Sequence, residues 1–226
     1  MGNYNFAGEL VKAAHECANL SLVRCTSGNM SAKINGTYYI TAAEKWFSRL
    51  TISDLVECDS SGTVLHAETD RVPTPDSPIH FGIYADRTDV NVILHCQSDY
   101  ATICSCVPRN INNLIDITQD FSLIPEVPFY LDKIALIPYS EPETQSFIDD
   151  VIDAASQGYN MILLQNHGQY VLGSDFDDVL HKAAFFELAA RIYGHTTNAK
   201  TLSNAAIVSL RNVKKTKDHI SAKKGI

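Results

Sequence analysis

The chain has 226 residues, 45% of them hydrophobic and 19% charged, enough to bury a core as one domain. Its 18 Lys and Arg against 26 Asp and Glu give a formal net charge of -8, which argues against a general nucleic-acid surface and against a reader of anionic membranes. No apolar run approaches the roughly 20 residues that span a bilayer, the start MGNYNFAGEL lacks basic and apolar leader regions, and six cysteines are scattered without a CxxC pair, so the expectation is a cytoplasmic protein with reduced thiols.

Apolar residues at Phe6, Leu10, Ala14, Cys17 and Ala18 recur with helical spacing and predict an amphipathic helix from Phe6 to about Leu20. Thr26-Ser27-Gly28-Asn29 reads as a turn. Tyr38 to Thr41, and the pair Leu55 to Cys58 and Thr63 to Leu65 joined through Ser60-Ser61-Gly62, read as strands with a hairpin signal. Asp76 and Ser77 before Pro78 have the form of an N-cap followed by proline in the first turn, predicting a helix from about Pro78 to Arg87. Val90 to Leu94 reads as a buried strand, and Asp99 is expected to cap a helix toward Val107. Ile134 to Ile137 then reads as a strand, Glu141 to Gln157 as a helix, Met161 to Leu164 and Tyr170 to Leu172 as short apolar strands, and Asp175 to Tyr193 as a helix with an acidic start. Lys214, Lys215, Lys217, Lys223 and Lys224 crowd the end, so the expected division is a domain over 1–213 and a Lys-rich, solvated tail over 214–226. Strands and helices without a regular alternation predict one α/β domain whose mostly antiparallel or mixed sheet is covered by helices.

The chain has no GxxxxGK[ST] loop, no GxGxxG after a strand, no GxSxG elbow and no HExxH, which removes ordinary ATPase, dinucleotide and serine-hydrolase readings. Polar residues beside apolar strands remain: Gly28-Asn29, Asp76, His95-Cys96-Gln97 and Asn166-His167-Gly168. Residues i and i+2 of a strand share a face, so His95 and Gln97 are expected to project together, and His167 at a tight bend can add an imidazole to a metal. Taken singly, each histidine reads more readily as a hydrogen-bonded structural group than as a ligand.

Six stretches carry a resemblance: Thr26-Ser27-Gly28-Asn29-Met30-Ser31, Tyr39-Ile40-Thr41, Leu50-Thr51 with Asp54-Leu55-Val56, Pro78-Ile79-His80 with Tyr84, Val92-Ile93-Leu94-His95, and Leu163-Leu164-Gln165-Asn166-His167-Gly168. In this order and spacing the chain, from about Phe6 to Tyr193, resembles the class II aldolase and adducin head family. The resemblance implies a three-layer α/β/α fold with a nine-stranded, largely antiparallel central sheet, and a homotetramer with sites between neighbouring subunits. It also implies a divalent metal, zinc in the catalytic members, for which His95 and His167 match two ligands. Gln97 stands where the third ligand is a histidine and offers the weaker amide oxygen.

Asp76 matches the general acid or base, a glutamate in the family and one methylene longer. Thr26, Gly28, Asn29 and Thr74 match positions that bind a substrate phosphate. The family's TPSG-like segment, however, reads Thr41-Ala42-Ala43-Glu44, and Pro75 replaces a serine, so hydroxyls are lost and a negative charge is added that repels a phosphate unless Lys45 or another cation compensates. The implied function is a metal-dependent lyase, cleaving a carbon-carbon bond as an aldolase does in a small sugar or polyol derivative without a required phosphate. The alternatives are an epimerase or decarboxylase of the same family, or a catalytically inactive, adducin-head-like structural or ligand-binding protein. Tyr130 and Tyr139 are candidate groups donated by a neighbouring subunit.

Overall fold

A computed structural model describes the backbone of residues 2–224 and the side chains of residues 6–217; Met1 and the Lys223 and Lys224 side chains of the predicted tail lie outside the described residues. The N-terminal helical spacing becomes α1 (Gly2–Asn19), followed by β1 (Gly28–Ile34), β2 (Thr37–Thr41), β3 (Leu55–Cys58), β4 (Val64–His66) and α2 (Ser77–Asp86). Next come β5 (Val92–Cys96), α3 (Asp99–Ser105), β6 (Ile115–Asp116), α4 (Thr118–Phe121), a wide helical turn over Val127–Leu131, and β7 (Ile134–Ile137). The chain continues through α5 (Gln145–Ser156), β8 (Met161–Leu164), β9 (Gly168–Gly173), α6 (Phe176–His195) and α7 (Asn204–Lys224).

Among the described residues the strands form one open nine-stranded sheet in the order β4-β3-β2-β1-β5-β9-β8-β7-β6, antiparallel at every pair except β7 and β8. Alternation along each strand sorts side chains to two faces. Met30, Ala32, Leu94, Cys96, Leu163 and Val171 pack with α1, α3 and α6 on one face, while Ile93, Ala135, Ile162, Tyr170 and Leu172 meet Ile79 and Ile83 of α2 and Phe147 and Val151 of α5 on the other. Each fully buried Ile, Leu or Phe contributes about 1.5–3 kcal/mol, so the two clusters supply the main driving force for closing the layers. The fold is the three-layer α/β/α arrangement that the resemblance implies.

Three local expectations are corrected. Gly28 and Asn29 are not in a turn: they open β1, where Gly28 pairs with Cys96 and Asn29 with His95, because the neighbouring strand satisfies their backbone groups. Ser98, not Asp99, occupies the N-cap of α3; Asp99 pairs with Arg24, and the Glu187 carboxylate of α6 accepts from Tyr100 N, Ala101 N and Ser98 Oγ at 2.8, 3.0 and 2.6 Å. The helix expected from Glu141 begins at Gln145, since Glu143 is left-handed at φ 65° and Thr144 caps the first turn through Phe147 N at 3.3 Å.

At the C-terminus α7 runs through residue 213 without a break, with the Lys214 and Lys217 ammonium groups 5.7 and 5.1 Å from the Phe129 ring centre. The six cysteines form no disulfide, and no helix among the described residues is long and apolar enough to cross a membrane.

Candidate active site

The central strands bring the polar residues together. Register sets Asn29 of β1 opposite His95 of β5, and His95 opposite Tyr170 of β9, so the three form a row on the face that meets α2. Ser31, two residues beyond Asn29, shares that face. Asp76, His80 and Tyr84 recur at i, i+4 and i+8 along the start and body of α2, which puts them on one stripe. The two sets meet through hydrogen bonds: Asn29 Nδ2 donates to Asp76 Oδ2 at 2.7 Å, His80 Nε2 lies 2.6 Å from Asn29 Oδ1, Ser31 Oγ lies 2.7 Å from His80 Nδ1, and Tyr84 Oη lies 2.8 Å from Ser31 Oγ.

His95 is buried, donates from Nδ1 to the Gln169 carbonyl at 3.1 Å, and stacks on Tyr170 with ring centres 4.6 Å apart. His167 lies in the β8–β9 connection, edge-on to His95 at 5.1 Å and stacked on Phe147 at 5.7 Å. Asn166 before it is left-handed at φ 58°, a conformation asparagine tolerates better than most residues. A β-carbon on Gly168 would lie 2.6 Å from the Cys96 carbonyl, and one on Gly28 would lie 2.9 Å from the His95 carbonyl. Both glycines are therefore required by the close approach of backbones around His95, whether or not a ligand is bound.

Burial pushes the His80 imidazole down to about 3, against an opposing contribution from Asp76. Burial also lowers His95, again opposed by Asp76 and by the Gln169 carbonyl, while burial and then the neighbouring His95 take His167 down to about 4. For Asp76, burial raises the carboxyl but is outweighed by His95, the Asn29 hydrogen bond and His80, leaving it below its ordinary range. Because both imidazoles are neutral near pH 7, the Asn29 hydrogen bond and, after it, the Tyr170 hydroxyl are the parts of that stabilisation that persist there. At neutral pH the site combines an ionised carboxylate with neutral imidazoles.

Asp76 occupies the N-cap position of α2 yet makes no side-chain cap bond, so its carboxylate serves Asn29 instead. Gln97 lies one residue past the end of β5, half-buried; its Cγ stands 2.8 Å from where a Gly168 β-carbon would be, and it lines a cleft with Ser27 and Tyr100. Thr26 is exposed in the preceding turn, and Thr74 is buried with its Oγ1 accepting weakly from Asp76 N at 3.4 Å. Lys45 is drawn toward Asp54 at 3.6 Å, a carboxylate it shares with Arg71 at 3.2 Å. Tyr130 stacks on Phe185 of its own chain, whereas Tyr139 is exposed.

Two of the residues, His95 and His167, have imidazoles that could serve a divalent cation. The His95 Nδ1 hydrogen bond to a carbonyl fixes the tautomer that leaves the Nε2 lone pair for a ligand, and His167 Nδ1 is buried without a hydrogen-bond partner. Among the described residues no three His, Cys, Asp or Glu side chains converge closely enough to enclose an ion, so a third protein ligand would be a neutral group such as the Gln97 amide.

Sequence reasoning left four residues out of the site: Ser31, His80, Tyr84 and Tyr170. The four-residue spacing of Asp76, His80 and Tyr84 was a usable signal for two of them. Tyr170, fully buried with its hydroxyl unpartnered, enters through strand register, which no local pattern encodes.

Residues 8–194 match the Class II Aldolase and Adducin N-terminal domain, and the chain belongs to that family. It is similar to the L-fuculose phosphate aldolase of Methanocaldococcus jannaschii, 28% identical over 184 residues that cover 81% of this chain and 93% of that protein. It is also similar to the 3-oxo-tetronate 4-phosphate decarboxylase of Haemophilus influenzae, 26% identical over 172 residues, 74% of this chain and 76% of that one. In fold it matches the crystal structure of YgbL from Klebsiella pneumoniae with a TM-score of 0.83 at 20% identity, covering 92% of this chain and 98% of that one.

Proposed function

We propose that the protein is a divalent-metal-dependent lyase of aldolase type, acting on a small sugar or polyol derivative that needs no terminal phosphate. The observation that carries this reading is the ionised Asp76 carboxylate on the same side of the sheet as two neutral imidazoles, His95 and His167. His95 and His167, with Gln97 as the third ligand, hold the cation, taken to be zinc. When bound, the cation polarises a substrate carbonyl and offsets the negative charge that develops as the neighbouring bond breaks.

Asp76 moves the proton. Asn29 occupies its Oδ2, so Oδ1 is the oxygen that accepts the proton from substrate and returns it. Thr26, Gly28, Asn29 and Thr74 border the substrate. Indifference to phosphate is supported by Ala43, Glu44 and Pro75 at donor positions and by Lys45 being drawn toward Asp54. Losing two charge-assisted hydrogen bonds weakens a phosphate by about 3–6 kcal/mol. Decarboxylation is the second reading: the similarity to a named decarboxylase favours it, and it asks the same proton handling of Asp76.

The test begins with metal analysis of protein purified without chelator. Cleavage, and deuterium uptake from solvent beside the carbonyl, are then followed for free sugars and polyol-derived ketoses paired with their phosphate esters. Stoichiometric zinc and exchange with the free compounds is the expected result. Absence of exchange across the panel, with zinc added, overturns the lyase reading. Consistently faster turnover of the esters overturns the phosphate statement and makes Lys45 a phosphate ligand.

A further inference from the structure

We propose that His80 is a positioning residue: inside a buried donor chain from Tyr84 through Ser31 it carries its proton on Nε2, which orients the Asn29 amide so that its NH2 group faces the Asp76 carboxylate. The role of Asp76 in proton transfer rests on the function proposed above; the hydrogen-bond chain does not.

The two ends of an asparagine amide have nearly the same shape, so Asn29 alone does not choose which of them faces Asp76. A flipped amide would set Oδ1 against an ionised oxygen, acceptor against acceptor. The choice passes to His80, whose Nε2 lies 2.6 Å from Asn29 Oδ1. His80 is fully buried, so the imidazolium is disfavoured and one ring nitrogen must accept. Ser31 Oγ, 2.7 Å from Nδ1, donates to it, and Tyr84 Oη, 2.8 Å from Ser31, donates in turn to the serine oxygen.

The competing contact from Tyr84 to the Asn91 carbonyl is longer, at 3.3 Å. Every donor in the sequence Tyr84, Ser31, His80, Asn29 then points one way, toward the anion. The reversed chain would have to end on a protonated Asp76. Aligned hydrogen bonds polarise one another, so the chain both aims the carboxylate and favours its ionised form. Groups facing Asp76 from other elements are His95, His167 and Tyr170: His95 donates its Nδ1 proton to Gln169, and the Tyr170 hydroxyl, which also favours the ionised carboxylate, makes no hydrogen bond as close as that of Asn29.

The test uses the metal-free full chain and NMR. The 15N shifts of His80 should report a neutral Nε2-H tautomer from pH 5 to 8, and a neutral Nδ1-H tautomer overturns the proposal. The 13C titration of the Asp76 carboxyl gives the second readout. In His80→Leu its midpoint should rise by about one unit, whereas His80→Gln, whose amide can donate to Asn29 and accept from Ser31, should keep it within a few tenths of wild type.

A folded His80→Leu with an unmoved Asp76 midpoint overturns the proposal, because a merely structural histidine would change stability alone. If His80→Leu fails to fold, Ser31→Ala, which removes the donor to Nδ1, should shift the midpoint in the same direction by a smaller amount; no shift overturns it. None of these readouts needs substrate. A chain oriented as described in a protein that exchanges no sugar would refute the proposed function and leave the positioning role standing.

Discussion

Glu44 has a backbone φ of 58° and an exposed side chain, at the place where the family's TPSG-like pattern has glycine. The left-handed conformation costs a residue with a β-carbon about 1–2 kcal/mol, partly offset in any glycine variant by greater freedom of the unfolded chain. Glu44→Gly should therefore stabilise the protein by roughly 0.5–1 kcal/mol, read as a higher urea midpoint with unchanged slope. A lower midpoint would show that Glu44 makes compensating contacts. Gly168 is the opposite case. A β-carbon 2.6 Å from the Cys96 carbonyl forces backbone to move, and overpacking of this kind costs about 1–3 kcal/mol. Gly168→Ala should lose that much in the same assay, together with the stacking of His167 on Phe147.

Helix α3 depends on α6 for its start. Glu187 accepts from Ser98 Oγ and from the Tyr100 and Ala101 amides, which would otherwise be orphaned at the first turn. Glu187→Ala should destabilise the protein by roughly 2–4 kcal/mol, more than a surface cap, because partly buried donors lose a charged acceptor; a loss below 1 kcal/mol in urea would mean that water replaces it. Helix α2 brings a pH dependence. The folded His80 value of about 3 lies below the ordinary 6.5, so the unfolded chain takes up a proton that the folded chain refuses. Stability is thus full above about pH 6.5 and declines as pH falls toward 3, by about 2 kcal/mol at pH 5 from this residue. The lowered Asp76 carboxyl adds a loss of the same sign at still lower pH. Urea titrations at pH 7, 6 and 5 check this, and His80→Gln should flatten the slope by up to one proton.

For the whole molecule, the family resemblance carries the proposal of a homotetramer whose sites lie near subunit contacts, with Tyr139 as a candidate contribution to a neighbour. Light scattering should find four chains at working concentration, and a monomer would remove any role for a neighbour's tyrosine. Calorimetry should show zinc binding that His95→Ala abolishes and Gln97→His strengthens. Equal affinity in wild type and His95→Ala would move the metal elsewhere.

The sequence by itself carried the fold class and the runs that became β5, β8 and α6, because hydrophobic periodicity is a local property, and it placed His95 and His167 beside apolar strands. It also carried Asp76 to the head of α2, where the local pattern read it as a cap and the resemblance as a general acid or base. The tertiary structure decided that this carboxylate caps nothing and accepts from Asn29, that Gly28 and Asn29 belong to a strand, and that His80 and His95 both stand beside Tyr170. Those outcomes depend on which strands become neighbours, and in what register. Asn29, His95 and Tyr170 come from three distant segments, and pairing β1, β5 and β9 with any one-residue slip would turn the row to the opposite face. Register is set by burying both faces of the sheet at once, a condition on the whole chain.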